Sequence, residues 1–111
     1  MNNYAIVVVD NTGTIQLWSA GAERLFGFTA QQAVGQTLDL IVPPDYREAH
    51  WNGFRAAMKA SFAQLENQPF DLPVNFRGTV TPVAGVLTLM RDPKKNVIGA
   101  MGVFTIPISG A

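Results

Sequence analysis

Residues Ala5 to Gly35, AIVVVDNTGTIQLWSAGAERLFGFTAQQAVG, constrain the fold more than any other stretch, because two short strands run directly into two short helices. Ala5–Val9 is an unbroken apolar run rich in β-branched residues, and Thr14–Trp18 alternates polar with apolar, so both predict strands. Asp10-Asn11-Thr12-Gly13 between them suits a tight hairpin, since Asp and Asn bond to their own backbone and glycine reaches φ > 0. After Trp18 the apolar period lengthens from two to about 3.6 residues. Ser19 is placed to cap a helix whose apolar face is Ala22, Leu25 and Phe26, and Gly27 to stop it. Thr29 with Gln32 has the spacing of a reciprocal capping box, and Gly35 ends this second helix; Phe28 faces only Ala33 across it, which predicts a weak hydrophobic staple. Helices this short cannot carry a parallel crossover, so they are expected to fill one side of the sheet.

Beyond Gly35, Leu38–Val42 is a short apolar approach and Pro43-Pro44 an extended turn. Asp45 with Glu48 offers a further capping pair for a longer helix. Along it Tyr46, His50, Phe54, Met58 and Phe62 recur every fourth residue, a stripe that includes the sole histidine. Gly53 in this helix predicts a bend or a close neighbour. The pattern dissolves over Ala63–Gln68. Phe70–Phe76 then reads as a strand that Pro73 demotes to an edge, Thr79–Met90 as a longer strand in which Pro82 needs an edge or a bulge, and Val97–Ile106 as the last, after the polar turn Arg91–Asn96. Five strands with helices inserted after the second predict an α+β layer.

The order D-N-T-G-T-I-Q-L-W-S-A-G-A-E-R-L-F-G-F, then V-G-Q-T, then I-V-P-P, resembles the start of a PAS domain, the small sensory module of bacterial kinases, chemoreceptors and transcription factors. The resemblance spans nearly the whole chain. Ser19 stands where many members have Asn, and Phe28 where many have Tyr. The resemblance implies one domain over residues 1–111 with a five-stranded antiparallel sheet in the order 2-1-5-4-3. Its expected role is a sensory module in signal transduction or transcription regulation, coupled to an output domain or partner protein. Where the family usually carries Asp-x-Thr after the last strand, this chain has Ile106-Pro107-Ile108, which leaves the route of signal output open.

A cavity is expected between helices and sheet, because such sites are mostly apolar with few placed polar groups. Gly85 and Gly102 lie inside strands, where glycine lets a ligand or another backbone come close. By strand parity Leu87 shares a surface with Gly85, and Ala100 and Phe104 share one with Gly102; Phe26, Phe54 and Met58 are expected to close the cavity from the helical side. The same aromatics would equally serve as core. His50 lies seven residues after Pro43 in V-P-P-D-Y-R-E-A-H-W, which resembles the haem-binding PAS domains of oxygen-sensing histidine kinases, and the resemblance implies His50 as the axial iron ligand. Arg47, Arg55 and Lys59 are the nearby cations for propionates, and Arg77 the candidate distal donor. Three occupancies stay open: haem, an apolar small molecule, or none in a dimerisation scaffold.

The last strand is apolar on both faces, with Val97, Met101 and Val103 opposite Ile98, Ala100 and Phe104, and Ala5–Val9 behaves likewise. An antiparallel sheet commonly keeps one wet face, so the face away from the helices is expected to be covered by a second copy of the chain. With 8 basic and 8 acidic residues the chain has no electrostatic reason to bind nucleic acid or an anionic membrane. It contains no cysteine, which excludes disulfides and thiolate chemistry. A single histidine, scattered carboxylates and the absence of a G-x-S-x-G elbow or phosphate loop make an enzyme unexpected. Met1-Asn-Asn-Tyr lacks the basic region of a signal peptide and no apolar run is long enough for a membrane helix, so a soluble cytoplasmic domain is expected.

Overall fold

In the computed structural model, described over residues 4–60, 66–76 and 78–105, local sequence signals and backbone geometry coincide closely through the first third of the chain. Strand β1 (Tyr4–Asp10) pairs with β2 (Ile15–Trp18), and the Asp10 carboxylate organises the turn by accepting from Thr12 N at 2.9 Å and Thr14 N at 3.0 Å. Helix α1 (Ala20–Phe26) starts at Ser19, whose Oγ accepts from Ala22 N at 3.1 Å and also from Ile6 N at 2.8 Å. One hydroxyl therefore caps the helix and ties it to β1. Gly27 ends α1 in the left-handed region, φ 85°, a conformation glycine adopts without a Cβ clash. The Thr29–Gln32 capping box of α2 (Ala30–Ala33) is present in both directions.

Two 3-10 turns follow, Leu38–Leu40 and Pro44–Tyr46, and the long helix α3 spans Arg47–Ala60. The expected Asp45 cap is not used: Asp45 sits inside the second turn, which Pro43 opens with no side-chain cap. Phe62, the last residue of the expected stripe, lies outside the described residues. Strands β3 (Phe70–Phe76), β4 (Thr79–Arg91) and β5 (Val97–Thr105) complete an antiparallel sheet in the order β2-β1-β5-β4-β3. Pro73 stands opposite Pro82, and neither has an N–H for the ladder. Pro73 is tolerated because β3 is an edge strand, and among the described residues β4 meets β5 from Gly85 onward, past Pro82.

The helices cover one face. Ala5, Val7 and Val9 of β1 pack with Ile15, Trp18, Ala22, Leu25, Phe26 and Phe104 into a core that reaches Val74 and Val83. Gly21 makes this packing possible, because a Cβ there would run into the carbonyl oxygen of Tyr4. On the opposite face Ile6, Val8, Val86, Met90, Met101 and Val103 are half-buried, and Leu17 is exposed. Val97 and Ile98 depart from simple alternation. A bulge sets Met90 against Gly99 and Arg91 against Val97, so Val97 is buried and Ile98 exposed, the reverse of the expected inward Ile98. No helix among the described residues is long and apolar enough to cross a membrane.

Candidate ligand cavity

No residue of α3 is buried, although its apolar stripe faces the sheet. Between that stripe and the sheet lies a cavity of about 500 Å3. His50, Phe54 and Met58 line it from the helix, Leu38, Ile41, Val42 and Tyr46 from the turns before it, and Val7, Val9, Leu72, Val74, Leu87, Leu89, Ala100, Gly102 and Phe104 from the strands. Gly53 also faces this space and has nothing within 4 Å of where its Cβ would be, so it marks neither a close neighbour nor tight packing.

Seven expected site residues thus meet here: His50, Phe54, Met58, Leu87, Ala100, Gly102 and Phe104. Phe26 and Gly85 do not. Phe26 is buried in the core, tilted against Trp18 at 5.3 Å and edge-on to Phe104 at 5.7 Å. Gly85 is roofed by the protein's own side chains, with Phe104 Cδ1 at 3.0 Å and Leu72 Cδ1 at 3.1 Å from an added Cβ. The Phe104 ring also lies over Gly102, at 2.9 Å by the same measure. The glycines seat an aromatic ring, and the free volume comes from the stand-off of α3.

Helix α3 is anchored at its first turns. Trp51 Nε1 donates to Asp39 Oδ1 at 2.7 Å, and its ring occupies the space a Cβ on Gly13 would need. Arg47 donates to the carbonyl oxygens of Val42 and Asp39, each at 3.1 Å. Farther along, Arg55 donates to Asn52 of its own helix, at 3.1 Å. Sequence reasoning passed over Trp51, which lies one residue off the cavity stripe.

His50 stands among Trp51 and Phe54, with ring centroids at 4.9 and 6.0 Å. Its Nδ1 is enclosed and has no hydrogen-bond partner among the described residues. Burial holds the imidazole below the usual histidine range, while the negative charge of Asp39 pulls the other way. A neutral imidazole against an apolar cavity fits the donor set of a five-coordinate haem. Arg47 is committed to carbonyls and the Asp39 side of the turn, Lys59 is exposed, and Arg77 lies outside the described residues. Among the described residues, no group of three or more His, Asp or Glu could hold a bare metal ion.

Glu66 also reaches the cavity wall and was not anticipated. Its carboxylate takes two hydrogen bonds from Arg91, 2.9 Å to Oε2 and 3.0 Å to Oε1, and a third from Leu89 N at 3.0 Å. Arg91 is the main reason its acidity is raised above that of an ordinary glutamate, with the Leu89 amide adding to it. Asn67 N donates to Leu87 O at 2.8 Å beside it, so this segment occupies the edge of β4 that β3 leaves open. The surrounding residues carry no periodic signal, and only the 25-residue separation from Arg91 closed in space reveals the contact.

This arrangement defines an α+β domain with a sheltered apolar cavity under its longest helix. The chain belongs to the PAS fold family, whose profile matches residues 3–106, and is thereby a sensory module of the kind used in signal transduction. It is similar to the sensor protein FixL of Bradyrhizobium diazoefficiens, with 44% identity over 46 residues, 41% of this chain. The chain spans only 9% of the length of the curated relatives it matches. Its fold is shared with the PAS domain of a protein from Colwellia psychrerythraea, TM-score 0.79 at 21% identity over 96% of this chain and 87% of that one. A second fold match is the RpfR quorum-sensing receptor PAS domain of Cronobacter turicensis in complex with C12:0, TM-score 0.75 at 16% identity over 96% and 97% of the two chains.

Proposed function

We propose that this is a non-catalytic sensory domain, residues 1–111, that binds a small, mainly apolar ligand beneath α3 and signals through the packing of a homodimer. The observation that carries the reading is the cavity of about 500 Å3, within the range of small-molecule sites and walled almost wholly by apolar side chains. Ligand contact with Phe54 and Met58 on one side and Leu87 and Ala100 on the other would bias the position of α3 against β4 and β5. A ligand acts only if it favours one position over the other. The half-buried apolar face of Ile6, Val8, Val86, Met101 and Val103 is the surface for the second copy. A soluble cytoplasmic setting and a downstream output domain or partner protein belong to the same reading.

Native mass spectrometry of freshly purified protein tests the cavity. A retained small-molecule adduct is expected, and Ala100→Trp, which fills the space, is expected to abolish it. No adduct, together with no gain of thermal stability from apolar compounds, would sink the ligand reading. Sedimentation at micromolar concentration tests the dimer, and a monomer would remove that half of the proposal.

A second reading is favoured by His50. The resemblance of V-P-P-D-Y-R-E-A-H-W to the haem-binding PAS domains of oxygen-sensing histidine kinases and the half-buried imidazole beside the cavity support a haem sensor in which His50 is the axial ligand and the apolar walls shelter the ring. Bound there, haem would supply the gas- or redox-responsive iron; the chain's own part would be to hold the ring at His50 and keep bulk water from it. Titration with haemin beside His50→Ala separates the readings. A sharp Soret band at one equivalent, lost in the variant, supports haem; the same weak, broad spectrum in both removes it.

A further inference from the structure

We infer that small molecules enter and leave the cavity through a mouth between α3 and β3, and that Ala49 and Gly53, the small residues on its helical lip, set how fast they pass. The inference rests on the ligand-binding reading above and adds the route to it.

Of the described residues that line the cavity, only Tyr46, Ala49 and Gly53 are exposed. Tyr46 closes the turn before α3, and Ala49 and Gly53 follow at spacings of three and four residues, which places all three along one edge of the helix. A residue that both lines an internal space and meets bulk water marks where the two join. Two of these three carry almost no side chain. Ala49 ends at a methyl group, and a Cβ added at Gly53 would find nothing within 4 Å.

Two other margins of the cavity are latched. Trp51 follows Ala49 by two residues and so stands about 200° away around the helix. There its ring fills the space beside Gly13 in the β1–β2 turn, and its Nε1 donates to Asp39 Oδ1 at 2.7 Å. Along β4, Glu66 accepts from Arg91 at 2.9 and 3.0 Å and from Leu89 N at 3.0 Å. The Ala49 edge therefore looks away from the β1–β2 hairpin, toward the other end of the sheet, where Phe70, Leu72 and Pro73 of β3 form the far wall. None of these three, nor Ala49 or Gly53, has a polar side-chain atom. An ion crossing between them would lose hydration with no side chain to replace it, whereas an uncharged apolar molecule has no such loss.

The chain has no cysteine, so Gly53→Cys carries a single thiol that can be alkylated after the protein has folded. The test applies N-cyclohexylmaleimide to Gly53→Cys, to Ala49→Cys and, as a control, to Lys59→Cys, a position that is exposed and does not line the cavity. Association and dissociation of N-phenyl-1-naphthylamine, an uncharged probe that fluoresces in apolar surroundings, are then followed by stopped flow. Alkylation of Gly53→Cys or Ala49→Cys is expected to slow both rates at least about tenfold while Kd stays within about threefold, because a narrowed mouth raises the barrier equally in both directions. Alkylation of Lys59→Cys should change neither rate. Unchanged rates at Gly53→Cys and Ala49→Cys overturn the inference and leave the cavity a ligand site reached by another path. A Kd weakened through faster dissociation alone also overturns it, since the label then occupies the cavity and not its mouth. If the probe does not bind the unmodified protein and native mass spectrometry finds no retained adduct, the ligand-binding reading falls and the inference with it.

Discussion

Helices α1 and α3 lie on the same face of the same sheet and meet it in opposite ways. α1 has 7 residues and buries Gly21, Ala22, Leu25 and Phe26. α3 has 14 and buries none. The difference follows from side-chain size at the contact. Gly21 and Ala22 bring α1 down to the backbone of β1, where Ser19 bonds Ile6 N. His50, Phe54 and Met58 hold α3 away, and its polar anchors, Arg47 and Trp51, sit near its start. One helix closes the core; the other roofs a space. Local stability is expected to divide in the same way, with the few-contact element free to move on ligand binding.

The largest effect that would break this contrast is at Gly21. Gly21→Ala forces a Cβ against a backbone carbonyl that has no side-chain freedom to yield, and it should cost about 4 kcal/mol or more, or prevent folding. Urea denaturation followed by circular dichroism measures it, and a near-neutral result would mean that α1 is not seated as described. Next, Leu25→Ala should cost about 2–5 kcal/mol, because Leu25 is fully enclosed. Phe54→Ala, facing existing free volume, should cost less than about 2 kcal/mol although it removes a larger side chain. Equal losses would show that α3 is packed as tightly as α1.

A smaller effect appears on acidification. His50 has a folded pKa below its unfolded value, so the unfolded chain takes up the proton first; the contribution is whole above the unfolded pKa and is lost as pH falls through the folded one. Between about pH 7 and pH 5, wild type should lose stability faster than His50→Leu, and parallel curves would mean the imidazole is open to water. The smallest change is the counterpart of the first. Gly53→Ala meets nothing within 4 Å and should stabilise by about 0.5–1 kcal/mol, since alanine loses less backbone freedom in a helix. Destabilisation there would mean that α3 lies closer to the sheet.

The aromatics show where reading the sequence stops. Phe26 and Phe54 each fall on the apolar face of a helix, yet one is core and the other cavity wall. Periodicity identifies the face a residue shares, not the distance to what it faces. The expectation from Gly85 and Gly102 was sound as chemistry, since something does come close to both, but the visitor is the Phe104 ring of the same chain. Ile98 was misassigned because one extra residue in β5 reverses its parity, which no alternation count detects.

What the sequence by itself determined is local: the strands, the Ser19 and Thr29 caps, the glycine stop at Gly27, the edge position implied by Pro73, and the stripe that carries His50 toward the sheet. These depend on interactions a few residues apart, and the resemblance to PAS domains supplied the strand order. Tertiary structure alone decided that the space under α3 stays open, that Nδ1 of His50 is enclosed without a partner among the described residues, and that Glu66 closes on Arg91. Each of these is set by how far apart distant segments come to rest, which depends on the packed sum of all their side chains and is written in no single stretch of the chain.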